Sequence, residues 1–250
     1  MSRVRVVRLV FAALMLGAFS LPAAAEAVYN RGNSADPESL DPHKTSTIYE
    51  AHILRDLFEG LVMQDATSDI YPGAAESWTL SPDGTVYTFK LRPDAVWSNG
   101  DPVTAEDFVY SFRRLEEPAT GAEYASMLYV IKNGEEVNTG KAKPEELGVR
   151  AVDAKTLEIT LKAPTPYFLE MLTHQAAYPV NRKSIEALGA DWVKPGKMVS
   201  NGAFTLAEFI PNDHIKVVKN PKFHAADEVK LDAVNYIPTE DRSTAIKRFE

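Results

Sequence analysis

Apolar and polar residues alternate strictly through Val86-Tyr87-Thr88-Phe89-Lys90-Leu91, with Tyr87, Phe89 and Leu91 on one side. A period of two predicts a strand with that face buried. Trp78-Thr79-Leu80 and the turn Ser81-Pro82-Asp83-Gly84 precede it, so the pair predicts a β-hairpin. Val149 to Val152 and Leu157 to Leu161, flanking Asp153-Ala154-Lys155-Thr156, predict another. After Pro195-Gly196 the chain reads as strands over 202–209, 214–219 and 229–237, the first two joined by the Pro211-Asn212-Asp213 turn. Ala27-Val28-Tyr29-Asn30 is a short strand candidate, followed by an extended loop rich in Pro, Ser and Asp.

Other stretches change period. Ile48, Ala51, Leu54, Arg55, Leu57, Phe58 and Leu61 put apolar groups on one face at helical spacing, with Gly60 as a stop. Thr104-Ala105-Glu106-Asp107 reads as a capping box, with Asp107 in the place of the usual Glu or Gln, and Phe108, Val109, Phe112 and Leu115 form the core stripe that follows. Helices are also expected over 123–131, 167–172 and 184–188, and a last one from Thr239 with Ala245, Ile246 and Phe249 as its stripe. The result is a mixed α and β chain without internal repeats.

The N-terminus departs from this texture. Arg3, Arg5 and Arg8 precede an apolar run from Leu9 to Leu21, and Ala23-Ala24-Ala25 supplies the small residues of a cleavage site. The run is too short for a membrane span and fits a secretory signal, residues 1–25. Cleavage would remove three positive charges and take the formal charge from −8 to −11, so a polyanion such as nucleic acid is not an expected partner. With no cysteine, disulfides, thiol chemistry and a lipoprotein anchor are all excluded. The expected location is the periplasm, free and not lipid-anchored.

Three stretches, taken jointly, resemble the oligopeptide-binding proteins of bacterial ABC importers, solute-binding protein family 5. They are Ser39-Leu40-Asp41-Pro42-His43 with Arg55 to Leu61, then Ala75-Glu76-Ser77-Trp78 through Asp83-Gly84 and Trp97 to Ser111, then Ser200 to Phe204 with Asn220-Pro221-Lys222-Phe223. Trp78, Tyr87, Phe89 and Trp97 at hairpin spacing also make sense as an aromatic core, so the signature is structural in character.

The resemblance implies an α/β, periplasmic binding protein-like (class II type) bilobal fold. Family members run to roughly twice this length, so the chain is expected to be one lobe with its extra α+β domain, the second lobe missing. The expected organisation is a discontinuous ligand-binding domain over 26–58 and 185–250, with an inserted α+β domain over 59–184. The implied function is non-enzymatic capture of oligopeptides in the interlobe cleft and delivery to an ABC transporter permease, without a cofactor or metal, as a monomer when complete. Carried over by position, the ligand-binding residues are Ser46, Thr47, Ile48, Tyr124 and Phe223. The best-known peptide binders carry an acid where Ser46 stands. His43 is expected only to cap its loop.

The same residues leave other readings open. Dipeptides, nickel or haem are other cargoes within the family, and a lobe that docks with a partner protein is a second class. A hydrolase finds no support, since G-x-S-x-G, H-E-x-x-H and Walker motifs are all absent. His43, His52, His174, His214 and His224 lack metal-ligand spacing. The acid pairs Glu116-Glu117, Glu135-Glu136 and Glu145-Glu146 are expected to be solvated.

Overall fold

The computed structural model describes residues 26–239 together with Asp241 and Ser243. The leader sequence and the helix expected around Ala245, Ile246 and Phe249 lie outside the described residues. The order begins β1 (Val28–Gly32), α1 (Ile48–Leu57), β2 (Val62–Gln64), β3 (Ile70–Pro72), β4 (Ala75–Leu80) and β5 (Val86–Leu91). It continues α2 (Ala105–Glu116), α3 (Gly134–Asn138), β6 (Val149–Asp153), β7 (Thr156–Thr160), α4 (Phe168–Leu172) and α5 (Arg182–Leu188), and ends β8 (Phe204–Ile210), β9 (His214–Lys219) and β10 (Ala233–Ile237).

One core grows from the two predicted hairpins, which merge into an antiparallel sheet of order β4-β5-β7-β6. Tyr87 and Phe89 are buried on one face of β5 as the alternation requires, and Leu91 follows them. Trp78 meets Phe89 at 6.4 Å between centroids, Tyr87 meets Phe168 at 5.1 Å, and Trp97 is buried beside them. Helix α2 covers this core with Phe108, Val109, Phe112 and Leu115. Its start is fixed by Asp107, whose Oδ2 accepts from the Thr104 amide and hydroxyl, each at 2.8 Å. This satisfies an amide that no earlier turn can reach and places a negative charge on the positive helix end. Asp107→Ala is therefore expected to cost about 1 kcal/mol, measured as a lowered urea midpoint; an unchanged midpoint would contradict it.

The segment between α2 and β6 is less regular than its pattern predicts. The helix expected over 123–131 is a single 3-10 turn, Ala125–Leu128, set between bends. The short hairpin β2-β3 also has no counterpart in the sequence reading, because only three residues pair on each side.

A second core lies between α1 and the sheet of order β1-β10-β9-β8, in which β1 runs parallel to β10 and the other pairs are antiparallel. Ile53, Leu54, Leu57 and Phe58 on α1 and its C-terminal end pack against Leu206, Val217 and Tyr236. Gly202 makes that approach possible. Its amide donates to the Leu57 carbonyl at 2.9 Å, and a side-chain carbon there would lie 2.5 Å from the Leu57 carbonyl carbon. The Ser200-Asn201-Gly202 signature is thus a backbone junction, with Asn201 bonding both the amide and the carbonyl of Glu59 at 3.1 and 2.8 Å.

One expectation fails outright. Glu116 is not solvated: it is fully buried, and neither carboxyl oxygen has a hydrogen-bond partner. The last turn of α2 is covered by the segment carrying Tyr129 and Asn138, whose side-chain amide donates to the Glu116 backbone carbonyl at 3.1 Å. Burial pushes the Glu116 carboxyl up to about 8, against a weaker opposing pull from Lys162.

Candidate functional site

The loop from Asn33 to Thr47 is folded around one buried carboxylate. Glu50, in the first turn of α1, accepts the amides of Glu38 (3.0 Å) and Ser39 (3.4 Å) on one oxygen. Its other oxygen accepts the amides of Ser46 (3.1 Å) and Thr47 (3.0 Å) and the Thr47 hydroxyl (2.8 Å). Thr47 and Glu50 form a reciprocal capping box, which sets where α1 begins. Thr47 therefore spends its hydroxyl on the helix. Its neighbours face out: Ser46 is exposed, and Ile48, expected in the apolar stripe of the helix, is 71 % exposed, because the buried face of α1 runs through Ala51, Ile53, Leu54 and Leu57 instead.

Behind the loop sits a buried polar cluster. Arg114 of α2 grips Asp41 with two bonds of 3.0 and 2.6 Å, and its Nη1 lies 2.7 Å from His43 Nδ1. A guanidinium cannot accept, so Nδ1 accepts, and Nε2 carries the proton that it donates to the Tyr178 carbonyl at 3.3 Å. Desolvation, reinforced by the Arg114 charge, holds His43 at about 4, so it is neutral at neutral pH. Burial alone would raise Asp41, but the bonds and charge of Arg114, with the bond from the His43 amide, hold it below the ordinary range. His43 thus does more than cap its loop. It belongs to a wedge that locks the loop of one core onto the helix of the other.

Four of the five residues singled out from sequence meet on one face. The Tyr124 hydroxyl donates to the Ser46 carbonyl at 3.3 Å, beside Thr47 and Ile48. Phe223 is not brought to them. Its ring stacks near His224 (centroids 4.3 Å apart), and His224 Nε2 lies 2.9 Å from Glu59 Oε1. Glu59 follows the C-terminal end of α1 and Ser46 precedes its start, so Phe223 is associated with the opposite end of the helix from Ser46. Burial raises the Glu59 carboxyl, with His224 pulling the other way.

The sequence reading missed three residues beside this face. His174 packs its ring on Tyr124 at 4.5 Å, and His52 and Arg55 follow Ile48 along the outward side of α1. The spacing of Ile48, His52 and Arg55 at i, i+4 and i+7 was a usable signal. For His174, far along the chain, no local signal exists. Among the described residues, no group of three or more His, Asp or Glu side chains is placed to hold a metal ion.

Comparison with known proteins bears on the whole chain. A family model described as bacterial extracellular solute-binding proteins, family 5 Middle, matches residues 69–250. The periplasmic oligopeptide-binding protein OppA of Haemophilus influenzae is 44% identical over 219 residues, covering 87% of this chain and 40% of its own. OppA of Escherichia coli is 41% identical over 250 residues, covering 96% and 46%. The crystal structure of Haemophilus influenzae OppA in complex with the peptide RPPGFSPFR superposes with a TM-score of 0.88 at 42% identity, over 90% of this chain and 44% of that one. The unliganded open form of the murein tripeptide-binding protein MppA gives 0.87 at 40%, over 90% and 44%. The chain spans less than half the length of these relatives, a share consistent with a single lobe of their mixed α/β fold. The resemblance read from the three signature stretches holds, and the chain belongs to the bacterial extracellular solute-binding proteins of family 5.

Proposed function

We propose that this chain forms the first lobe of a periplasmic oligopeptide-binding protein, which captures peptides in a cleft and delivers them to an ABC importer permease. The observation that carries the reading is the convergence of Ser46, Ile48 and Tyr124 on one outward face, held by the Tyr124–Ser46 bond. The relative solved with a bound nonapeptide shares this fold over nearly the whole chain. The face suits the task physically. Backbone and hydroxyl groups beside an exposed aliphatic side chain can hold an extended peptide whatever its sequence. The two cores support a division into a ligand-binding domain, expected over 26–58 and 185–250, and a domain inserted into it, expected over 59–184, although Tyr178 and Val180 pack in the core of the former.

A single lobe encloses only one side of its ligand. Residues 26–250 alone are therefore expected to bind a tripeptide more weakly than micromolar, since much of the polar surface of the peptide stays in water. An NMR titration with trialanine tests both points. The expected result is a shift of the Ser46 and Ile48 amide signals at millimolar peptide, lost at least several-fold in Tyr124→Ala. A titration that leaves those signals unmoved would overturn the reading, and micromolar affinity would overturn the one-lobe argument.

A further inference from the structure

Three outward positions of α1 form one stripe, Ile48, His52 and Arg55, and beyond the aliphatic Ile48 that stripe is cationic or titratable. It is extended on both flanks. On one side Arg31 of β1 lies 5.9 Å over the ring of Tyr236, whose hydroxyl is 3.1 Å from the His52 carbonyl. On the other, Arg55 stands beside the Tyr178 phenol, and His174 packs on Tyr124, which itself bonds Ser46. Among the described residues, neither Arg31 nor Arg55 forms an ion pair with a carboxylate. Two acids of the same region are already engaged, Asp56 by the Tyr236 hydroxyl and Glu59 by His224. Burial shifts both of those acids upward, while the Arg31 charge pulls Asp56 and the His224 bond pulls Glu59 the other way. The two histidines report the local field. Desolvation lowers each of them, and repulsion from Arg55 adds to the shift at both, with Arg31 adding to it at His52.

This positive face belongs to a protein whose formal charge is −8. Unpaired guanidinium groups next to a ligand face are an open offer of charge-assisted hydrogen bonds, and the planar fork of Arg matches a carboxylate. Ser46, a neutral residue, adds no counter-charge of its own. We propose that Arg31, His52, Arg55 and His174 form a carboxylate-binding subsite on this face, which biases the cargo toward peptides presenting an acidic side chain or a free C-terminus there. The inference rests on the peptide-binding reading above and names the class of peptide it would prefer.

The test uses residues 26–250 and follows the ring protons of His52 and His174 by NMR while Ala-Glu-Ala, Ala-Gln-Ala, Ala-Lys-Ala and amidated Ala-Gln-Ala are added, with glutarate as a carboxylate that is not a peptide. Ala-Glu-Ala is expected to bind about tenfold more tightly than Ala-Gln-Ala, a difference of about 1.4 kcal/mol, and Ala-Lys-Ala more weakly than both. A bound carboxylate should also raise the titration midpoints of both histidines. Preference for Glu over Gln assigns the subsite to a side chain, and preference for free over amidated Ala-Gln-Ala assigns it to the terminus. Arg55→Gln, at an exposed position, should raise both midpoints in the free protein and flatten the preference.

Equal binding of every peptide, with histidines indifferent to glutarate, overturns the subsite and leaves the peptide reading standing. Histidines that respond to glutarate while no peptide binds support the subsite and overturn the peptide reading. No response to any of these probes overturns both.

Discussion

Arg114→Ala is expected to cost about 3–5 kcal/mol of folding stability, the range for breaking a buried ion pair from one side. The reason is what stays behind. Asp41 would remain buried with only its bond to the His43 amide, and His43 Nδ1 would lose its donor. The lost residue also joins the two cores, since α2 packs on the hairpin sheet while Asp41 and His43 belong to the loop before α1. Urea unfolding at pH 7.5 measures the loss. The double variant Asp41→Leu/Arg114→Met removes both charges and should recover most of it, so that the cycle returns a coupling of several kcal/mol, above the usual range for neighbours. A loss below about 1 kcal/mol for Arg114→Ala, well under the cost of stranding a buried charge, would show that water reaches Asp41 and that the cluster is not a lock.

The same cluster gives the pH response a sign. His43 is held at about 4 in the folded chain, below its ordinary value, so the unfolded chain binds the proton first as pH falls. Stability contributed by neutral His43 is complete above about pH 6.5 and is lost as pH falls toward about 4. Protonation of Asp41, held below the ordinary carboxylate range, removes further stability at still lower pH.

Much of this architecture can be read from local pattern, and the exceptions share a cause. The β5 strand is legible because every second residue is apolar, and α2 because Thr104 and Asp107 mark its first turn. The carboxylate of Glu50 could not be placed, although Thr47 and Glu50 have capping-box spacing, because its further acceptor role depends on the loop from Glu38 to Thr47 turning back upon it. Tyr124 and Ser46 entered by resemblance alone, being remote in the chain, and their hydrogen bond exists only after both cores have formed. The stretch over 123–131 has helical spacing but yields one 3-10 turn, because its apolar residues are claimed by the hairpin sheet and the back of α2. Tertiary packing overrode local propensity there. Glu116 failed for the same reason: Glu116-Glu117-Pro118 reads as a solvated helix end, and nothing in those residues announces that Tyr129 and Asn138 will close over it.

That buried carboxyl carries the second large effect. Glu116 lies at the C-terminal end of α2, where the helix dipole already disfavours an anion. The cation whose charge acts on it, Lys162, is committed to Glu136 at 3.3 Å and Glu135 at 3.9 Å. Raised to about 8, the carboxyl is protonated in the folded chain at neutral pH, whereas the unfolded chain has already released that proton. The folded state therefore binds more protons between roughly pH 4.5 and 8, and stability must fall as pH rises through that window. The slope is at most about 1.4 kcal/mol per pH unit. Glu116→Gln keeps the shape and removes the titration, so its stability should match the parent near pH 4.5 and exceed it by about 3 kcal/mol at pH 7, levelling off above pH 8. The response of His43 has the opposite sign, but it is common to both proteins and cancels in the difference. Urea unfolding of both at pH 5, 6, 7 and 8 reads the gap directly. Curves that run parallel across that range would mean that the Glu116 carboxyl reaches solvent or a cation when it ionises, and the burial argument would fall with them.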